Sequence, residues 1–173
     1  MLIFLIGLPG SGKTTLGKQL AKQIQYVFSD LDEAIVKAQH SSIEEIFLNE
    51  GEATFRMYES QRLKAYNKEE NIIVSTGGGA PCFHHNMEWM NETGISIFLN
   101  PPLTELAKRL NASDNSHRPM LKGKSENGLL SFLETKFKER SPFYSQSKIT
   151  IVKNNPSVID LIEKMKPYIK RAL

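Results

Sequence analysis

The run Gly7-Leu8-Pro9-Gly10-Ser11-Gly12-Lys13-Thr14 has the residue types and spacing of a phosphate cradle, G-x-x-x-x-G-K-[ST]. Its glycines let backbone N–H groups turn inward around phosphate oxygens, where a Cβ would clash. A helix opening directly behind the run adds its unpaired N–H groups and positive dipole end to the same anion. Gly10, Ser11, Gly12, Lys13, Thr14 and Thr15 are therefore candidate nucleotide contacts. Lys13 is expected to reach the β- and γ-phosphates of MgATP, and the Thr14 hydroxyl to ligate Mg²⁺. The chemistry on offer is the binding of a nucleoside triphosphate.

A cradle by itself leaves GTPases, ATPases and small-molecule kinases open, so the next polar clusters matter. Asp30 and Asp32 stand two residues apart at the end of an apolar run. On an extended segment that spacing points both carboxylates the same way. One can hold Mg²⁺, directly or through water, while the other accepts a hydrogen bond from a substrate hydroxyl and takes its proton. The same residues also suit a helix N-cap at Asp30 with acidic residues in the first turn. Further on, Arg56 offers a forked donor suited to a planar carboxylate, and Glu59, three residues later, can orient it. Phe47 and Phe55 can wall an apolar ring. Gly77-Gly78-Gly79 leaves only backbone donors and acceptors, which lets a ligand approach closely. Adjacent His84 and His85 cannot share a helix face, and no third ligand stands near them and Cys82 at metal-site spacing.

These residues need a scaffold that gathers them at one edge. Short apolar runs at Leu2–Ile6, Tyr26–Ser29, Asn71–Ser75, Ile95–Leu99 and Lys148–Val152 alternate with helical stretches. That order argues for βα units and a parallel sheet covered by helices on both faces. Ligands in such sheets bind beyond the carboxyl ends of the strands, where the cradle, the aspartates and the triple glycine all fall. Thr14–Gln25 has Leu16, Leu20, Ala21 and Ile24 at helical spacing. Ser41 or Ser42 can cap the next helix, with Glu44 or Glu45 completing a capping box and Gly51 at its end. Pro101-Pro102 and Asn155-Pro156 mark turns into helices. Pro142 is expected to end a helix and release Arg140 there.

The bulk properties narrow the setting. The 173 residues suit one domain, 40% hydrophobic and 24% charged, with a formal charge of +3. The six arginines and sixteen lysines are spread along the chain, and no aromatic–basic stacking pattern points to nucleic acid. Cys82 is the only cysteine, which excludes an internal disulfide and suits a reducing compartment. The apolar start is too short for a signal peptide, and no run approaches the ~20 apolar residues that span a bilayer. A cytoplasmic monomer without a membrane segment is expected.

Taken in order from Leu2 to Pro156, the motifs resemble the shikimate kinase family. Its shikimate-binding segment is similar to Ile46-Phe47, then Gly51-Glu52, then Phe55-Arg56 and Glu59. Arg118-Pro119-Met120-Leu121, in the polar stretch 111–127, resembles the family's lid motif, whose Arg meets the transferring phosphoryl group. Glu139-Arg140-Ser141-Pro142-Phe143-Tyr144 resembles the motif whose Arg grips the shikimate carboxylate. Arg109 resembles the arginine that leans on adenine. The resemblance implies a three-layer α/β/α fold of P-loop NTPase type, with a five-stranded parallel sheet in the order 2-3-1-4-5. It also implies a single domain over 1–173, with an acceptor-binding subregion at about 31–62 and a lid at about 111–124. The implied reaction is transfer of the ATP γ-phosphoryl group to the 3-hydroxyl of shikimate. Lys13, Asp32 and Arg118 would be catalytic, Thr14 and Asp30 would organise Mg²⁺, and Arg109 and Arg118 would join the cradle on ATP. Asp32, Arg56, Arg140, Phe47, Phe55 and the Gly77–Gly79 backbone would hold the acceptor. Two stretches depart from the pattern: Leu31 replaces a small polar residue, and Val152-Lys153-Asn154 matches the base-contacting stretch loosely. A kinase for another small acid, such as gluconate, would share the cradle without needing both carboxylate-gripping arginines. A silent ATP-binding regulator would share it without turnover.

Overall fold

Alternation along the first strand sets the layering. In β1 (Leu2–Ile6) every residue is buried, with Leu2, Phe4 and Ile6 in one apolar cluster and Ile3 and Leu5 in the other. Successive strand side chains point to opposite faces, so a strand apolar throughout requires cover on both. The computed structural model describes residues 1–113 and 123–169. Within these, the chain continues through α1 (Lys13–Ile24), β2 (Val27–Asp30), α2 (Leu31–Gln39), α3 (Ile43–Asn49) and α4 (Gly51–Lys64). Then follow β3 (Ile72–Ser75), a short 3₁₀ turn (Ala80–Cys82), α5 (Asn86–Thr93) and β4 (Gly94–Leu99). The remaining elements are α6 (Leu103–Asn111), α7 (Glu126–Tyr144), β5 (Ile149–Ile151) and α8 (Val158–Ile169).

The five strands form one parallel sheet in the order β2-β3-β1-β4-β5. This is the P-loop fold that the resemblance implies. On the Ile3/Leu5 face, Leu16 and Leu20 of α1 pack with Leu161 and Met165 of α8. On the Phe4 face the cover comes from α2, α4, α5, α6 and α7, through side chains such as Ile35, Leu63, Met90, Leu106 and Leu133. Each such fully buried aliphatic side chain contributes about 1.5–3 kcal/mol relative to exposure. Among the described residues no helix is long and apolar enough to cross a membrane.

The boundaries show which local signals prevail. The ladder between β2 and β3, from Val27↔Ile72 to Asp30↔Ser75, carries β2 one residue further than Ser29 and delivers Asp30 to the carboxyl edge. The outermost strand β2 lacks full cover, and Val27 is 65% exposed, so cover on both faces holds only for inner strands. Of the two possible caps, Ser42 caps α3: Glu45 N donates to Ser42 Oγ (3.2 Å), and Ser42 N donates to Glu45 Oε2 (2.7 Å). Glu50 caps the end of α3 and Gly51, with φ +85°, opens α4, so these two residues turn the corner between the helices. Pro142 does not end its helix. α7 runs on to Tyr144, which is fully buried with its ring 4.9 Å from that of Phe98. A proline removes one helical N–H, and burial of the tyrosine two residues later outweighs that loss.

Candidate active site

The loop between β1 and α1 turns through Gly10 (φ +80°) and Gly12 (φ +92°), conformations that a side chain would strain. Lys13 opens α1, and its Nζ donates to the carbonyls of Gly7 (2.9 Å) and Leu8 (3.0 Å), which hold the ammonium over the loop. Arg109, near the end of α6, spans the loop's far side. It donates to Glu105 Oε1 (3.0 Å), Asn155 Oδ1 (2.9 Å) and the carbonyls of Asn154 and Gly10. A cleft of about 820 Å³ lies over these groups. Its walls include all of Gly10–Thr15, together with Asp30, Asp32, Gly77, Gly78 and Arg109.

Both aspartates reach this cleft, though not by an extended segment. Asp30 is the last residue of β2 and the N-cap of α2, its Oδ1 accepting from Asp32 N (3.1 Å), and Asp32 lies in the first helical turn. The capping reading of this pair holds, and the cap leaves Asp30 Oδ2 facing Thr14 of the cradle. That oxygen accepts from Thr14 Oγ1 (2.9 Å), which also lies 3.3 Å from Ser75 Oγ. These are hard oxygen donors, the set that suits Mg²⁺. Among the described residues no group of three or more His, Cys, Asp or Glu could hold a metal on its own. A magnesium ion that arrives with nucleotide phosphates keeps several waters and needs only one or two protein oxygens. The Thr14–Asp30 pair fits that requirement.

The triple glycine after β3 forms a seam between this cleft and a second cluster. A Cβ on Gly77 would lie 2.6 Å from Glu59 Oε1 and 2.9 Å from Asp32 Oδ1. On Gly78 it would lie 2.7 Å from Arg140 Nη1, and on Gly79 2.5 Å from Arg56 Nη1. The glycines are there because two guanidinium groups and two carboxylates pack against the backbone itself. Arg56 on α4 donates to Glu59 Oε2 (2.6 Å) and to Glu52 Oε1 (2.8 Å), as the i, i+3 spacing to Glu59 suggests. Burial works against the Arg56 charge, but the Glu59 and Glu52 carboxylates raise its pKa. Burial also pushes the Glu59 carboxyl up to about 7, against the pull of Arg56 and with Asp32 adding repulsion. Arg140 comes from α7, where the Tyr144 hydroxyl donates to the Gly78 carbonyl and ties the end of that helix to the seam. Phe47 and Phe55 pair at 4.8 Å between centroids on α3 and α4, with Phe55 buried in the core.

Several supporting groups have no signal in the sequence. Ser60 donates to Asn86 Oδ1 (2.8 Å), and Asn86 Nδ2 donates to the Ala80 carbonyl (2.8 Å), a buried link from α4 through α5 to the residue after the glycines. Ser75 is visible only once β3 is in place, whereas Tyr144 stands in the Glu139–Tyr144 motif, and only its bond to Gly78 is new. Burial pushes the Cys82 thiol up to about 11, so it stands beside the site as a neutral thiol rather than a nucleophile. Arg118 and most of the expected lid lie outside the described residues.

A family model described as shikimate kinase matches residues 9–170. Among similar proteins, the shikimate kinase of Parabacteroides distasonis is 43% identical over 148 residues, covering 86% of this chain and 85% of that protein. The shikimate kinase of Azobacteroides pseudotrichonymphae is 40% identical over 168 residues, 96% of this chain and 98% of that one. The solved shikimate kinase of Bacteroides thetaiotaomicron superposes with a TM-score of 0.89 at 37% identity, covering 98% of each chain. That of Acinetobacter baumannii, solved in complex with shikimate, has a TM-score of 0.83 at 31% identity, covering 99% of this chain and 93% of that one.

Proposed function

The chain belongs to the shikimate kinase family, and on that premise we propose how its side chains share the work of the family's reaction. That reaction is transfer of the γ-phosphoryl group of ATP to the 3-hydroxyl of shikimate, giving 3-phosphoshikimate and ADP in aromatic amino-acid biosynthesis. Lys13 and the backbone N–H groups of Gly10–Thr15 hold the β- and γ-phosphates and offset the negative charge on the transferring group. Thr14 and Asp30 would hold Mg²⁺, which would supply further charge neutralisation for the phosphates. Asp32 accepts a hydrogen bond from the 3-hydroxyl and takes its proton as the oxygen attacks the γ-phosphorus. The bond from that phosphorus to the bridging oxygen breaks, and ADP leaves. Arg56 and Arg140 grip the acceptor carboxylate beside the Gly77–Gly79 backbone, while Phe47 and Phe55 wall its ring. Arg109 leans on the adenine. Arg118 carries the closing charge that the family resemblance implies.

The observation that best supports this division is the seam itself. One run of three glycines has Asp32 and Glu59 packed against Gly77, the Arg140 guanidinium against Gly78 and the Arg56 guanidinium against Gly79. Every group invoked comes from one chain, which supports a monomer, and a lone reduced cysteine supports a cytoplasmic enzyme. The test is coupled ADP release with shikimate, quinate and gluconate offered side by side. Shikimate should drive turnover well above the others. A preference for gluconate, or ADP release indifferent to any acceptor, would overturn the reading.

A further inference from the structure

Phe83 follows the 3₁₀ turn just past the triple glycine, and it is 39% exposed although it is a large aromatic residue. Burial in the core is therefore not what holds it. Its ring centroid lies 4.8 Å from Arg56 Cζ, closer than the Phe55 ring at 5.2 Å. The Arg56 side chain is only 11% exposed. Three of its N–H bonds are committed along one helix, Nε and Nη2 to Glu52 and Nη1 to Glu59. The guanidinium also rests against Gly79, where a Cβ would come within 2.5–2.8 Å of its three terminal atoms. Carboxylates at the edge, a glycine beneath and aromatic rings alongside leave the planar fork little freedom.

We propose that Phe83 is a positioning residue for acceptor recognition: its ring lies over Arg56, shields the guanidinium from water and fixes the plane in which its remaining N–H bonds meet the acceptor carboxylate. The inference rests on the reading that Arg56 grips that carboxylate. The physical basis is twofold. A cation over an aromatic ring is attracted by the ring quadrupole. Excluding water beside the cation also strengthens its attraction to an incoming anion. Leucine has similar bulk but no π face, whereas tyrosine keeps the face, so the two replacements separate packing from cation recognition.

The experiment is steady-state kinetics on Phe83→Leu, Phe83→Tyr and Arg56→Gln, with shikimate and ATP varied in turn. Phe83→Leu should raise the KM for shikimate ~5-fold, the size expected for a partly exposed cation–π contact. The KM for ATP should stay within about twofold of wild type, well short of the tenfold that 1.4 kcal/mol gives. Phe83→Tyr should match wild type. Added to Arg56→Gln, Phe83→Leu should have no further effect. A wild-type shikimate KM in Phe83→Leu, an equal loss in Phe83→Tyr, or a matching rise in the KM for ATP would overturn the proposal. The underlying reading fails separately: if Arg56→Gln itself leaves the shikimate KM unchanged, Arg56 does not grip the carboxylate. If Arg56→Gln raises that KM and Phe83→Leu does not, only the role of Phe83 falls.

Discussion

Glu59 is 1% exposed and accepts from Arg56 at 2.6 Å, and Asp32 and Arg140 also act on it electrostatically. Desolvation dominates, so its carboxyl titrates at about 7 instead of the ordinary 4.5. The folded state therefore keeps this proton more tightly than the unfolded chain does. The contribution to stability is fully present below pH 4.5 and is lost as pH rises towards about 7. Glu59→Gln removes the titration, so its melting temperature relative to wild type should climb across that window. Parallel melting profiles from pH 4.5 to 7 would show that Glu59 does not carry this proton. The spacing and residue types of Arg56 and Glu59 suggested an ion pair, and the family resemblance set it apart from an ordinary surface one. The depth of their burial was not legible there, because it depends on α4 packing beneath a loop that follows β3.

At the scale of elements, the sequence exposed what local rules control and hid what the sheet decides. The cradle, the Ser42 cap and the Gly51 corner follow from residue types a few positions apart, and each stands where expected. The reach of β2 to Asp30 depends on pairing with β3, and the run of α7 past Pro142 depends on burying Tyr144, so neither could be read locally. The loop after β3 is the element against which Arg56 and Arg140 pack, and on which the proposed acceptor side turns. Gly79→Ala would place a methyl group 2.5–2.8 Å from the Arg56 guanidinium and push it out of plane. Overpacking of this kind costs about 1–3 kcal/mol, which should appear mainly as weaker shikimate binding. Calorimetric titration should find ATP affinity close to wild type, since the cradle lies on the other flank of the seam. Unchanged shikimate affinity in Gly79→Ala would mean that Arg56 does not depend on this close approach.

For the whole molecule, the fold brings together two arginines that are 84 positions apart in sequence, Arg56 on α4 and Arg140 on α7, at neighbouring glycines. Periodicity does not reveal that meeting. It came from the family resemblance, and the parallel sheet in the order β2-β3-β1-β4-β5 supplies its physical reason. The carboxyl edge of β3 lies between β2 and β1, so the loop that leaves it touches both the cradle and the helices that pack on the Phe4 face. In the proposed function, phosphate and acceptor recognition are separate sides of one seam, and each should respond to substitution without the other. The most direct measurement is a double-mutant cycle on shikimate binding with Arg56→Lys and Arg140→Lys, followed in parallel with ATP binding. Lysine keeps the charge but loses the fork. Each single substitution should cost about 1.5–3 kcal/mol in shikimate binding, the range for a hydrogen bond to a charged group. The pair should be non-additive because both side chains hold one carboxylate, with ATP affinity little changed. Full additivity, or an equal loss of ATP affinity, would show that the two arginines do not share the acceptor carboxylate.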